Sequence, residues 1–528
     1  MLKLKVHILF LYLLSAVVLR AQHHTSAKAA EAQAEDGDEH IKHGNYLMAI
    51  PVYEAELKKD PENAKLKYKL GVCYLNTRLN REQAVKYLEL ASKDHHNEPD
   101  VWLHLGIAYH LNNRLEDALL SFEKFKALKP KHDDEVDRYT RQVDNALKLM
   151  AHPVNVSFQN LGKDINSDEP DYFPFVNKDE TFLVFTSRRK ENRGGKKLEV
   201  DGYRSSDIYT STLVNGHWTP AKNAGPMVNG NLDEQAVGLR WDGLEMYVYE
   251  DHIEKFGNIY VSTRQDEKSD FMKPKMLDVV INEFVETSGC LSEDGNTIFF
   301  ARKEDVSDNT DLYMSRKLPN GKWGVPYPLP NNINTPYNED MPFLAFDGQT
   351  LYFASEGHNS MGGYDLFKTV WNQKLNVFSN PENLGYPINT TDDDRSICVT
   401  ADNRLAYISS FRASGHGELD LYRIKLKQEE PVSVIYTGNV FMGDTLPSSQ
   451  PKNFGVTITV TNKKTNFEYY FNPHSKTGRF VMALPAGEYK VSAVAKGYMK
   501  LDEDFSVSDM GPVNAEHRKN FILKKARK

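Results

Sequence analysis

Cysteine is scarce: 528 residues hold only Cys73, Cys290 and Cys398. Each falls in a different sequence repeat, so no disulfide framework is expected. Long apolar runs are missing too. Ile8–Leu19 is too short to span a bilayer comfortably, and nothing later approaches 18 apolar residues, so no membrane-spanning helix is expected. There is no excess of positive charge. The formal net charge is -8, which gives no electrostatic basis for binding nucleic acid. The basic stretch Arg188-Arg189-Lys190 with Lys196-Lys197 sits among Gly and Asn and is expected to be a solvated loop. Catalytic signatures are absent: no His-Glu-x-x-His, no Gly-rich phosphate loop and no Gly-x-Ser-x-Gly. Histidines do not fall at metal-ligand spacing; His23-His24, His95-His96 and His416 lie in or near loops. The expectation is a chain without catalytic residues, cofactor or metal, and not an enzyme.

What is present begins with an export signal. Lys3 and Lys5 precede the apolar run, and Ala21 is a suitable last residue to remove. Residues 1–21 are expected to be a signal peptide and residues 22–35 a flexible lead-in. The mature protein is expected to be soluble and exported. At this length the chain should split into several domains.

Residues 36–150 repeat. Gly37, Gly71 and Gly106 are 34 and 35 residues apart. Each is followed by Ala49, Ala84 or Ala118, then Tyr53, Leu88 or Phe122, then Pro61, Pro99 or Pro130. Small residues let antiparallel helices approach, large ones fill between them, and Pro stops the second helix. The pattern resembles the tetratricopeptide repeat family. Asp133–Met150 is expected to be a solvating cap helix. The resemblance implies a concave groove that binds an extended partner segment, with Trp102, Tyr74 and Tyr109 as its candidate region. A purely structural spacer is the alternative.

Residues 154–427 carry a second repeat, about five times over. Asp179, Asp242-Gly243, Asp294-Gly295, Asp347-Gly348 and Asp402-Asn403 each sit between apolar strands, a strong hairpin signal. The next strand carries Asp207-Ile208-Tyr209, Asn258-Ile259-Tyr260, Asp311-Leu312-Tyr313, Asp365-Leu366-Phe367 or Asp420-Leu421-Tyr422. Such units cannot bury their apolar faces alone but can when arranged radially. Five blades are expected, with six as the alternative. The last unit lacks a fourth strand, and Leu161–Asn166 matches Leu384–Asn389. Val154–Asn160 is therefore expected to complete the last sheet and close the ring.

Eight residues before each turn lies a carboxylate: Asp171, Glu234, Glu286, Glu339 and Asp394. Three roles are open. They form an acidic mouth that receives a cation or a basic side chain; they accept backbone N–H bonds in their own loops; or, least favoured, two act as a hydrolytic pair. The repeat resembles the WD40-like β-propeller repeats of bacterial envelope proteins, with residues 338–348 the best match.

Residues 433–524 show seven or so short strands, as in a small Greek-key sandwich. Gly478-Arg479-Phe480, Leu484-Pro485-Ala486-Gly487-Glu488-Tyr489 and Ala495-Lys496-Gly497-Tyr498 resemble the carboxypeptidase-regulatory-like, transthyretin-like domains. That resemblance places Tyr489 inside. The expected fold class is multidomain: an all-α tetratricopeptide module, an all-β five-bladed propeller and an all-β Greek-key sandwich.

The three in this order resemble the PorE-like envelope proteins of Bacteroidetes, which are linked to type IX secretion and gliding. Members of that group continue into an OmpA-like domain that grips peptidoglycan; this sequence stops at Lys528 in a basic tail, and peptidoglycan contact is expected to be indirect only. The resemblance implies a non-enzymatic periplasmic scaffold whose partners are outer-membrane or periplasmic proteins, with groove and propeller offering separate docking faces. The alternative is a glycan- or ligand-binding accessory or sensor that uses the propeller mouth.

Overall fold

The computed structural model describes residues 37–526, except 78–79, 131–132, 195–197, 200–202, 253–254, 306–307, 413–414, 427–433, 444–454, 464–467, 475–476, 486 and 508–516. The expected signal peptide and lead-in lie outside the described residues. The chain forms two compact units, Met1–Lys427 and Gln428–Lys528.

Among the described residues, the first unit begins with seven helices: α1 (Gly37–Lys42), α2 (Tyr46–Lys59), α3 (Ala64–Leu75), α4 (Arg81–Asp94), α5 (Pro99–Leu111), α6 (Leu115–Leu128) and α7 (Asp133–Ala151). Asn45 and Asn63 cap α2 and α3 by accepting the Met48 and Leu66 amides, which relieves donors that the first helical turn leaves open. Pro99 does not stop α4, which has already ended at Asp94. It occupies the first position of α5, where a missing N–H is harmless. The repeated glycines work by closeness. A Cβ on Gly71 would lie 2.7 Å from Leu88, one on Gly37 would lie 2.7 Å from Tyr53, and one on Gly106 would strike the Phe122 ring.

Five antiparallel sheets follow. The first holds strands Asp171–Val176, Phe182–Ser187, Asp207–Val214 and His217–Trp218, with Lys222–Asn223 beside the third. The second holds Glu234–Leu239, Glu245–His252, Lys255–Thr263 and Lys275–Met276; the third holds Val285–Leu291, Thr297–Lys303, Asp311–Arg316 and Tyr327–Pro328. The fourth holds Glu339–Leu344, Thr350–Ser355, Asp365–Asn372 and Val377–Phe378, with Glu382–Asn383 beside the third strand. The fifth holds Ile397–Val399, Leu405–Ser410, Asp420–Lys425 and, from far upstream, Ser157–Asn160. Ser157 pairs with Lys425 and Asn160 with Tyr422.

At all five hairpins the residue after the turn Asp has positive φ: Glu180, Gly243, Gly295, Gly348 and Asn403. Glycine takes that conformation freely and glutamate does not. Glu180 is held by the Tyr407 hydroxyl at 2.8 Å and the Arg423 guanidinium at 3.1 Å, both from the fifth sheet. Neighbouring sheets share cores. One buried cluster includes Phe185, Met246, Ala354 and Ile408, from the first, second, fourth and fifth sheets. The third sheet packs through Phe299 against Phe353 of the fourth and through Phe300 against Tyr247 of the second.

The second unit contains two four-stranded sheets around one apolar cluster. Val456–Asn462, Glu468–Phe471, Gly487–Ala495 and Leu501–Val507 form one. Val434–Met442 and Arg479–Leu484 belong to the other, joined by His517–Arg518 and Phe521–Leu523 in parallel with the former. Tyr489 is buried, and its hydroxyl donates to the Pro485 carbonyl at 2.8 Å.

Candidate functional site

The five carboxylates are at equivalent places, and all five are buried. Asp171, Glu234 and Glu339 open the first strands of the first, second and fourth sheets. Each takes donors from its own sheet. Glu339 accepts the Thr335 amide at 2.8 Å and the hydroxyls of Thr335 and Ser355 at 2.7 and 2.6 Å. Asp394 accepts the Thr390 amide and hydroxyl at 2.6 and 2.8 Å, and the Ser410 hydroxyl at 3.2 Å. Asp171 accepts the Ser167 amide at 2.6 Å and the Arg189 guanidinium at 3.1 Å. Glu286 accepts the Phe284 amide at 3.1 Å and Arg302 Nε at 2.8 Å, while Glu234 is held by the Gly230 amide. The geometry is that of loop capping, not of a solvent-facing acidic mouth.

Burial dominates their ionisation. It pushes Glu234 up to about 8 and Glu286, Glu339 and Asp394 up to about 7, and it raises Asp171. Desolvation disfavours the charged form, and the hydrogen bonds offset it only in part.

The same residues knit sheet to sheet. The Glu234 amide donates to Ser206 O at 3.1 Å, Glu339 to Thr310 O at 2.8 Å and Asp394 to Tyr364 O at 2.7 Å; in each case the acceptor immediately precedes the third strand of the preceding sheet. Asp171 of the first sheet donates to Leu419 O, beside the fifth, at 2.9 Å.

Five asparagines complete the joint. Asn229, Asn282, Asn334 and Asn389 each accept the amide and donate to the carbonyl of one residue in the third strand of the preceding sheet: Ile208, Ile259, Leu312 and Leu366. Asn166 does the same to Leu421 of the fifth sheet. Sequence reasoning noticed only the Asn166 and Asn389 stretches. The missed signal was an Asn four or five residues before every carboxylate.

Strand alternation decides what faces inward. Tyr172, Gln235 and Arg395, each one residue past a carboxylate, line a cavity of about 330 Å³. Asp340, at the same position in the fourth sheet, accepts Arg395 Nη2 at 3.3 Å and the hydroxyls of Thr287 and Ser288 at 2.9 and 2.6 Å. The Arg395 guanidinium lies 4.4 Å from the Tyr364 ring centre. Acid, base, amide and aromatic groups meet there, not a ring of like charges.

The helices cover this end of the sheets. Arg81 of α4 pairs with Asp392, its Nη2 2.6 Å from Oδ1, and its guanidinium lies 4.2 Å from the Phe411 ring centre. On α7, Arg138 lies 3.4 Å from Glu356, Arg141 donates to the Tyr337 hydroxyl at 3.1 Å, and Asn145 donates to Ser360 O at 3.0 Å. So α7 is a docking helix, not the solvating cap expected. Val136, Val143 and Ala146 face the helical core, while Arg138, Arg141 and Asn145 reach the sheets. A cavity of about 460 Å³ remains between helices and sheets, lined by Tyr46, Leu75, Ile107, Tyr139, Asp392 and Glu418 among others. It shares Tyr203, Asp393 and Glu418 with the smaller cavity. Groove and sheets are therefore not the separate docking faces expected.

The three aromatic groove candidates lie elsewhere. Tyr74 stacks on Tyr87 and donates to Glu54 at 2.8 Å. Tyr109 is buried, donates to Glu89 at 2.8 Å and carries Arg114 over its ring. Trp102 donates to His96 O at 2.9 Å beneath Lys124. Aromatics that recur with the repeat are those that pack between helices. None of the three lines the cavity.

Among the described residues, no group of three or more His, Cys, Asp or Glu is placed to hold a metal, and no helix is long and apolar enough to cross a membrane. The three cysteines are buried and unpaired with one another.

A tetratricopeptide repeat family model matches residues 34–79 and 78–133. Residues 34–133 are a tetratricopeptide repeat region. No curated protein matches the chain. Among solved structures, the first tetratricopeptide domain of Spaghetti (RPAP3), bound to an HSP90 peptide, is 24% identical over 22% of this chain and 93% of its own, with a TM-score of 0.21. TolB from Acinetobacter baumannii is 13% identical over 56% of this chain and 71% of its own, at 0.32. An endo-arabinase from Bacteroides thetaiotaomicron VPI-5482 is 14% identical over 52% and 99%, at 0.34. These likenesses are distant, and no substrate or partner follows from them.

Proposed function

We propose that this chain is a non-enzymatic scaffold of a bacterial cell envelope. In this proposal the five sheets close as a five-bladed propeller, the second unit is a Greek-key sandwich of the carboxypeptidase-regulatory-like kind, and the exported chain works in the periplasm against the outer membrane. A place in type IX secretion or gliding machinery is the finer version. One observation carries the proposal. The five candidate carboxylates are buried and bonded within their own loops, the main chain of four of them bonds to the neighbouring sheet, and the helices are bolted to the same end. Polar groups invested in this way hold a shape instead of reacting with a substrate.

The test is to pull the tagged chain from chemically cross-linked envelopes. Stoichiometric recovery of outer-membrane or periplasmic proteins is expected. A monomer that retains only a glycan or small ligand refutes the scaffold. The connected cavities of about 460 and 330 Å³ favour that second reading, a ligand-binding accessory protein. Thermal-shift screening of the purified chain against envelope glycans tests it.

A further inference from the structure

The fourth sheet sends a loop into the helical stack. Between its second and third strands, residues 357–363 leave the sheet, and Met361 ends fully buried in the helical core cluster with Leu105, Tyr109 and Val143. Three helix side chains contact three consecutive main-chain carbonyls of the loop. Asn145 donates to Ser360 O at 3.0 Å, His110 Nε2 lies 2.9 Å from Met361 O, and Gln142 donates to Gly362 O. Burial pushes His110 down to about 4, so it is neutral and its Nε2–H donates a hydrogen bond to that carbonyl. No charged side chain of the loop takes part. Gly362 has no room for a side chain, since a Cβ there would lie 2.5 Å from Asp392 O. The loop is a turn, with the Ser360 amide donating to Gly357 O at 3.0 Å and His358 at positive φ; the helices hold it by its main-chain carbonyls and one anchoring side chain. The loop fills only part of the face, because the 460 Å³ cavity continues beside it along Ile107, Leu75 and Tyr46.

We propose that the inner face of the helices is a receptor for a turn-forming, uncharged segment with a methionine-sized anchor, and that the chain holds its own copy of that ligand in place. A partner segment of the same chemistry binds by displacing residues 357–363, so partner capture and helix-to-sheet docking exclude one another. The proposal rests on the scaffold reading only in taking the competitor to be a protein.

The probe is a fluorescent peptide with the sequence of residues 357–364, measured by anisotropy against the full chain. Met361→Glu places a charge in the helical cluster and should release the loop without altering the receptor. Amide exchange across 357–364 should rise, and the peptide should bind at least tenfold more tightly than to the wild type. A peptide carrying Glu at the Met position should not bind. Arg81→Glu, which repels Asp392, should act in the same direction, and Asp392→Arg added to it should restore both readouts. A released loop without saturable peptide binding overturns the proposal. So does exchange at the wild-type level in both variants. Neither outcome depends on what the envelope pull-down recovers.

Discussion

Asn166→Ala tests the joint between the first and last sheets. Asn166 is 3% exposed. Its side chain accepts the Leu421 amide at 2.8 Å and donates to Leu421 O at 3.1 Å and to Asn160 Oδ1 at 2.9 Å. Alanine strands the buried Leu421 amide, while Leu421 O keeps the Leu161 amide at 3.1 Å. The loss is about 1–3 kcal/mol. Asn389→Ala removes the same bonds from Leu366, at 2.8 and 2.9 Å, and should cost the same locally. The consequences differ because of the chain between the partners. Asn389 and Leu366 are 23 residues apart, whereas Asn166 and Leu421 are 255 apart. Hydrogen exchange read by mass spectrometry distinguishes the two. In Asn166→Ala, amides of 157–160 and 420–425 should exchange faster by roughly fivefold or more, since about 1.4 kcal/mol is tenfold. In Asn389→Ala they should stay near wild type while Leu366 exchanges faster. If 157–160 exchange equally in both variants, or within threefold of wild type in Asn166→Ala, the closure argument fails.

Thermal stability should fall as pH rises. The folded state keeps protons on Glu286, Glu339 and Asp394 up to about 7 and on Glu234 up to about 8, whereas the unfolded carboxyls release theirs near 4. The midpoint measured by scanning fluorimetry should therefore be higher at pH 6 than at pH 8.5. Glu339→Gln should flatten that slope, and a midpoint that climbs with pH contradicts the assignment. His110 acts in the opposite sense: burial holds it down to about 4, so its contribution is lost as pH falls below 6.5. Gly106→Ala should destabilise the helical module by about 1–3 kcal/mol through overpacking on Phe122, and Phe122→Leu in the same chain should recover part of that in chemical denaturation. Met361→Ala should weaken helix-to-sheet docking by about 2–5 kcal/mol, the range for emptying a buried methionine site; proteolytic release of the helices is the readout.

Much of the architecture was legible because it follows from short-range rules. The Gly-to-large-residue spacing marks helix pairs: the small residue admits the large one, as Gly106 admits Phe122. The five turns announced themselves because the residue after Asp needs positive φ; Glu180 broke the glycine rule, and its cost is met by Tyr407 and Arg423. The site was legible in position but not in role. Sequence located five equivalent carboxylates but could not say whether they or their neighbours faced inward, because a one-residue step on a strand reverses the face.

By itself, the sequence determined the elements, their repeat lengths and the equivalence of the five units, since backbone geometry and side-chain size act over a few residues. Tertiary structure alone decided that Tyr172, Gln235, Asp340 and Arg395 gather inside. It also decided that Arg81 meets Asp392 across 311 residues and that Met361 fills the helical groove. Those contacts join surfaces that carry no mutual sequence pattern, and only the packing of one module on another brings them within bonding distance.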